Sequence, residues 1–176
     1  MLGKTKFVIL VVATCVFLTG TWGICNISWG NEGLLASPFT LPSLQGQSVS
    51  LADQKGDIIL INFWATWCKD CVQEMPEFEK LYQKYHGKGL SIFAISIDQK
   101  GQPAVEAFLK KENLKLTYPI LLDPDGHVAR AYQLRWLPVT IVVGRDGRII
   151  KTVLGARPWG SKEIMKSFDY LLNECH

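Results

Sequence analysis

Two cysteines three positions apart, in the run Trp67-Cys68-Lys69-Asp70-Cys71, are the residues of this chain best suited to chemistry. Side chains at i and i+3 share one face of a helical turn, close enough to meet the narrow distance window of a disulfide. A helix beginning at the first cysteine directs unpaired backbone N–H groups and the positive end of its dipole at that sulfur, which favours thiolate over thiol. Cys68 is therefore the expected nucleophile. Free cysteine has a pKa of about 8.5, and dithiols of this spacing bring it to roughly 3.5–7.5. Each unit of that shift corresponds to about 1.4 kcal/mol of preference for the thiolate.

A Cys-x-x-Cys pair can also be half of a zinc site or an inert structural loop. Zinc takes four ligands, commonly two such pairs or one pair plus histidines. Here Cys15, Cys25 and Cys175 are singletons, and His86, His127 and His176 are scattered without ligand spacing, so no metal is expected. The histidines read as surface residues without a role. Cys175, on the apolar face of the last predicted helix, reads as a buried free thiol, with an intermolecular bridge as the alternative.

The elements that must position this dithiol follow from composition and pattern. With 176 residues, 48% of them hydrophobic and 20% charged, the chain fits one domain plus an extra apolar segment. The net charge of +3 is dispersed, with no long basic run, so nucleic acid is not an expected partner. The apolar segment is N-terminal: the 21 residues 7–27 carry no charge and follow Lys4 and Lys6. At about 1.5 Å per residue such a helix reaches across a hydrocarbon core roughly 30 Å thick. Lysines before it and the first acid, Glu32, after it leave the N-terminus in the cytoplasm and carry the rest across. A retained anchor is the favoured reading. Cleavage stays open, because residues 7–18 have signal-peptide length and Thr21-Trp22-Gly23 offers small residues at −3 and −1. Lipidation of Cys25 is disfavoured by the bulky Ile24; otherwise Cys15 and Cys25 are apolar filler. The expected organisation is residues 1–27 as signal peptide or signal-anchor helix, 28–37 as linker and 38–176 as one α/β domain.

Within that domain, residues 39–41 and 48–50 alternate around Gly46 as a short hairpin. Residues 58–64 form a nearly continuous apolar run, the pattern of a strand covered on both faces. The helix after Cys68 turns Met75, Phe78, Tyr82 and Tyr85 inward, and Pro76 predicts a kink in it. Another buried strand spans 90–97, and Pro103 starts a helix with Val105, Phe108 and Leu109 on one face. A short strand over 118–122 and a short helix over 127–132 follow. Strands 139–143 and 149–153 flank Asp146-Gly147, a strong hairpin signal. A final helix over 161–174 turns Ile164, Phe168, Leu171, Leu172 and Cys175 inward. The strands make a mixed central sheet flanked by helices.

The run Asn62-Phe63-Trp64-Ala65-Thr66-Trp67-Cys68-Lys69-Asp70-Cys71, with Glu74-Met75-Pro76 after it, resembles the membrane-anchored thioredoxin-like proteins of the TlpA/ResA group, related to the redoxin and AhpC/TSA proteins. Pro38-Phe39-Thr40-Leu41-Pro42, Leu137-Pro138-Val139-Thr140 and Asp146-Gly147 are similar to that group as well, so the resemblance runs from about residue 37 to the C-terminus. It implies a thioredoxin-like fold with an N-terminal hairpin extension and a central αβ insertion at about residues 99–125.

Carried over position by position, the resemblance makes Cys68 the exposed attacking thiol and Cys71 the recessed resolving thiol. It makes Pro138 a cis-proline opposite the dithiol, where Leu137, Pro138 and Trp67 would meet an extended substrate. Trp64 and Trp67 are expected to pack around the site and limit access. Thioredoxins proper carry a buried aspartate on the strand before the dithiol; Asn62 stands there and cannot accept a proton. In the TlpA/ResA group a glutamate three residues after the second cysteine, here Glu74, is associated with the site, and a carboxyl held partly out of water could relay the proton that Cys71 must lose. Lys69 favours the Cys68 thiolate and Asp70 opposes it.

The implied activity is extracytoplasmic thiol–disulfide exchange without a cofactor, reducing disulfides in exported proteins, apocytochrome c among the candidates. A membrane electron donor would re-reduce the Cys68–Cys71 bond. The protein is expected as a monomer in the bacterial cytoplasmic membrane with its domain on the periplasmic or extracytoplasmic side, or secreted there if the signal is cleaved. A disulfide-forming oxidase would use the same residues and differ in reduction potential. A metal-binding or copper-delivery module is the non-catalytic alternative, and it more naturally carries Cys-x-x-x-Cys with a histidine. Peroxidase chemistry is disfavoured because no proline lies near Thr66 and Cys68.

Overall fold

The computed structural model describes residues 32–54 and 56–174. The predicted export segment, with Cys15 and Cys25, lies outside the described residues, as do Cys175 and His176. Among the described residues no helix is long and apolar enough to cross a membrane.

A hairpin comes first, β1 (Thr40–Pro42) against β2 (Ser48–Ser50). Then follow β3 (Ile58–Trp64), α1 (Lys69–Tyr85), β4 (Leu90–Ser96), α2 (Gln102–Lys111), β5 (Ile120–Leu122), α3 (His127–Ala131), β6 (Val139–Val143), β7 (Ile149–Leu154) and α4 (Lys162–Glu174). The five-stranded sheet has the order β5-β4-β3-β6-β7, parallel across β5, β4 and β3 and antiparallel across β3, β6 and β7.

The central strand explains the sandwich. Every residue of β3 is buried, as its nearly continuous apolar run requires when both faces are covered. Ile58, Leu60 and Trp64 join the core under α1, α2 and α4. Ile59, Ile61 and Phe63 join the opposite core, under α3 and the β1–β2 hairpin. Alternation along the strand turns Asn62, its one polar member, toward the α1 side. At the outer edge Leu44 N–H donates to Ile120 C=O at 2.8 Å, so the chain between β1 and β2 docks against β5. The insertion expected at about residues 99–125 thus contains a sheet strand, β5, as well as α2.

Local chemistry fixes the boundaries. Pro76 lies inside α1, which runs on to Tyr85. Leu81 takes the fully buried position there, whereas Tyr82 is only half-buried and meets His86 and Tyr118 at its edge. Ser161 starts α4 by accepting the Ile164 N–H on its hydroxyl at 3.3 Å. The β6–β7 turn needs a positive φ, and Gly147 supplies it at 78°. Asp123, fully buried, accepts the N–H groups of Val128 (3.3 Å) and Ala129 (2.9 Å) and pairs with His127 (3.0 Å), which fixes α3.

Candidate active site

The dithiol sits where β3 ends and α1 begins. Cys68 is the N-cap of α1, with extended backbone, and its Sγ accepts the Cys71 N–H at 3.3 Å. The two cysteines are joined in a disulfide with Cα atoms 5.3 Å apart. Cys68 retains 8% exposure and Cys71 1%, so both are buried in the disulfide, contrary to the expectation of an exposed Cys68, and Cys68 is the less enclosed of the two.

The turn leading into Cys68 is held by a residue that sequence reasoning missed. Asp98, buried just beyond β4, accepts the Thr66 N–H at 2.9 Å and the Thr66 hydroxyl at 2.7 Å. Ser96 donates its hydroxyl to the same carboxylate at 2.8 Å. A carboxylate closing an apolar strand that neighbours the dithiol strand was the available signal, since a buried charge demands partners.

Glu74 lies one turn beyond Cys71 on α1 and is 2% exposed. Its Oε1 accepts from Asn62 Nδ2 at 2.9 Å; its Oε2 accepts from Trp159 Nε1 at 3.0 Å and from the Arg157 N–H at 3.2 Å. Burial pushes the carboxyl above its ordinary pKa, while these three donors and the Arg157 guanidinium pull it back. Asn62 spends its other amide hydrogen on Thr140 Oγ1 at 3.1 Å. The sequence reading treated Asn62 as a lost proton acceptor; the structure places it as the partner that holds Glu74. Trp159 and Arg157 had no sequence signal, because only the path of the chain after β7 brings them to α1.

The Leu137–Pro138 bond is cis. Val139 pairs with Phe63, so Pro138 stands at the end of β3 that leads into the dithiol. Its carbonyl accepts the Gly155 N–H at 2.9 Å, and half-buried Leu137 packs against the cluster that contains both cysteines. Trp64 belongs to that cluster, beneath the site, and its ring meets Phe108. Trp67 departs from expectation: it is 70% exposed and does not close over the dithiol, because the turn held by Asp98 leaves its ring in solvent. Among the described residues no three His, Cys, Asp or Glu side chains converge as a metal site.

A mixed sheet with a Cys-x-x-Cys pair at the start of the crossover helix and a cis-proline immediately before the neighbouring strand defines a thioredoxin-like thiol–disulfide oxidoreductase. Comparison with known proteins gives the particular lineage. The chain belongs to the AhpC/TSA family, whose model matches residues 33–152. It is 37% identical over 123 residues to the thiol-disulfide oxidoreductase ResA of Bacillus thuringiensis subsp. konkukian, covering 70% of this chain and 69% of that one. Among solved structures, a Chlorobium tepidum protein described as a thiol:disulfide interchange protein, DsbE, superposes with a TM-score of 0.73 at 27% identity, over 81% of this chain and 98% of the other. StoA of Bacillus subtilis superposes with a TM-score of 0.63 at 25% identity, over 75% and 96%.

Proposed function

We propose that the protein is an extracytoplasmic reductase of disulfides in exported proteins, with Cys68 as attacking thiol, Cys71 as resolving thiol and Glu74 as acceptor of the Cys71 proton. The observation that carries this reading is the buried Glu74 carboxylate, one turn from the recessed cysteine and held by three N–H donors.

The Cys68 thiolate attacks one sulfur of the substrate disulfide, forming a mixed disulfide and expelling the other sulfur as thiolate. The Cys71 thiol passes its proton to Glu74, attacks Cys68 Sγ and releases the second substrate sulfur, which then takes up a proton. The two substrate thiolates take up one proton from Glu74 and one from solvent, so the substrate gains two electrons and two protons, and the protein is left as the Cys68–Cys71 disulfide. A membrane electron donor returns two electrons to that bond. Leu137 and Pro138 would line the substrate path beside Cys68, with exposed Trp67 offering an apolar surface at its edge. Residues 1–27 are proposed as the anchor, 28–37 as linker and 38–176 as the catalytic domain. The chain enters the fold by pairing Gly33 and Ala36 with the β6–β7 turn, remote from Cys68, so a membrane anchor before it would leave the dithiol directed outward.

Cysteine pairs awaiting haem in apocytochrome c are the proposed clients. The test is capture: in cells carrying Cys71→Ala, exported proteins should accumulate as mixed disulfides on Cys68. No captured protein, together with a Cys68 inert to alkylation at neutral pH, would refute the reading. A reduction potential near the oxidising end of the range, about −120 mV, would instead reverse the direction of electron flow.

A further inference from the structure

After β7 the chain crosses α1 through residues 155–161 and is fastened there by two carboxylates one helical turn apart. Glu74 Oε2 accepts from Trp159 Nε1 (3.0 Å) and Arg157 N–H (3.2 Å), and Glu77 Oε2 accepts the Gly160 N–H (3.2 Å). The crossing is close, since a Cβ on Gly160 would come within 2.6 Å of Glu77 Oε2. Trp159 is buried and stacks on Phe78, ring centroids 4.9 Å apart and planes 21° apart. The indole therefore cannot swing from Glu74 without surrendering that stack and leaving its own N–H without an acceptor.

We propose that Trp159 is a positioning residue for the exchange reaction: its indole N–H fixes the Glu74 carboxylate, as the anion, for the proton that Cys71 must lose. This rests on the proton-relay reading above. The groups that face Glu74 are few. From β3 comes the neutral Asn62 amide; from the segment after β7, the Arg157 guanidinium; from the approach to β5, the Tyr118 hydroxyl; and on α1 itself, Cys71 lies one turn before Glu74 and the Glu77 carboxylate one turn after it. Burial pushes Tyr118 far above its ordinary range, so it stays neutral throughout the working pH range. Arg157 and the three N–H donors are thus what favours the anion against the opposing effect of burial. A hydrogen bond to a charged group is strong enough that losing the indole donor should raise the Glu74 midpoint by about one to two pH units.

The experiment compares wild type, Trp159→Phe and Glu74→Gln as reduced full-length protein. Phe keeps a ring for the Phe78 stack and removes the donor. The Glu74 carboxyl is titrated by carbon-13 NMR. In parallel, with Cys15, Cys25 and Cys175 replaced by Ser in all three proteins, stopped-flow reaction with 5,5′-dithiobis(2-nitrobenzoate) releases thionitrobenzoate in two phases, the first from attack by Cys68 and the second from attack by Cys71. Trp159→Phe should raise the Glu74 midpoint by about one to two units and carry the pH midpoint of the second phase with it, leaving the first phase in place. A Glu74 midpoint or second phase that does not move overturns the proposal. Glu74→Gln should abolish the pH limb of the second phase; if that limb survives, the relay itself is wrong, whatever Trp159 does. The wild type gives a check that needs no variant: the Trp159 indole N–H resonance should titrate with the Glu74 midpoint, and a resonance flat through that midpoint refutes the clamp.

Discussion

Asn62 on β3 and Glu74 on α1 are joined by a 2.9 Å hydrogen bond between two buried side chains twelve residues apart. The bond ties the strand to the helix at the turn behind Cys71. It also converts a position that cannot ionise into one that determines where the neighbouring carboxylate points. Because Asn62 donates its second hydrogen to Thr140, two positions after the cis-proline, the dithiol helix, the central strand and β6 are held as one unit.

Removing Asn62 should disturb both acceptors. Asn62→Ala leaves Glu74 Oε1 and Thr140 Oγ1 buried without this donor, at a cost of about 1–3 kcal/mol in chemical denaturation. Asn62→Asp should be worse at high pH. Two carboxyls about 3 Å apart share one proton, so one of them has a folded-state pKa raised above its unfolded value. Stability should be near its best below the unfolded pKa and fall as pH rises through the folded one, by about 3–5 kcal/mol once the second charge is forced in. Equal stability of Asn62→Asp at pH 5 and pH 8 would contradict the placement of these side chains.

Glu74 gives the wild type a weaker version of the same slope. Its folded pKa is raised above the ordinary value of 4.5, chiefly by burial. Its contribution is therefore fully present below about 4.5 and is lost as pH rises toward the folded midpoint. Unfolding free energy measured from pH 4 upward should show this decline in wild type and lack it in Glu74→Gln. A decline of equal steepness in the variant would assign it to another group.

Asp98 should govern the dithiol turn. Asp98→Ala strips the acceptor from the Thr66 amide, the Thr66 hydroxyl and the Ser96 hydroxyl together. Loss of about 1–3 kcal/mol is expected, with faster amide hydrogen exchange at residues 66–68 than elsewhere in the sheet. Uniform acceleration across the domain would mean that Asp98 supports the core generally and not the turn.

What could be read from the sequence and what could not divide along physical lines. The nearly continuous apolar run of β3, the Asp146-Gly147 turn and the Cys-x-x-Cys spacing are local signals, and the strand, hairpin and disulfide follow them. Tyr82 and Leu81 exchanged places because both fit a helical stripe and only packing against the neighbours decides between them. Asp98, Trp159 and Arg157 reach the site from after β4 and after β7, through long-range contacts that no spacing encodes. Trp67 was expected to pack because it is large and apolar, yet its place in a tight turn before the helix leaves it outside.

The two sulfurs should differ sharply in reactivity once reduced. Cys68 caps α1, where the amide groups and the positive helix end favour its thiolate, and it keeps the greater exposure; Cys71 is almost wholly buried. A thiol pKa one unit lower raises the thiolate fraction at neutral pH by about tenfold. Iodoacetamide at pH 7 should therefore modify Cys68 at least about tenfold faster than Cys71, as read by mass spectrometry of quenched digests. Cys71→Ala should keep that fast alkylation at Cys68, whereas in Cys68→Ala the Cys71 peptide should be modified slowly, at a rate that rises when the protein is partly unfolded by denaturant. Comparable rates for the two cysteines in the folded protein would remove the distinction between attacking and resolving thiol on which the exchange sequence depends.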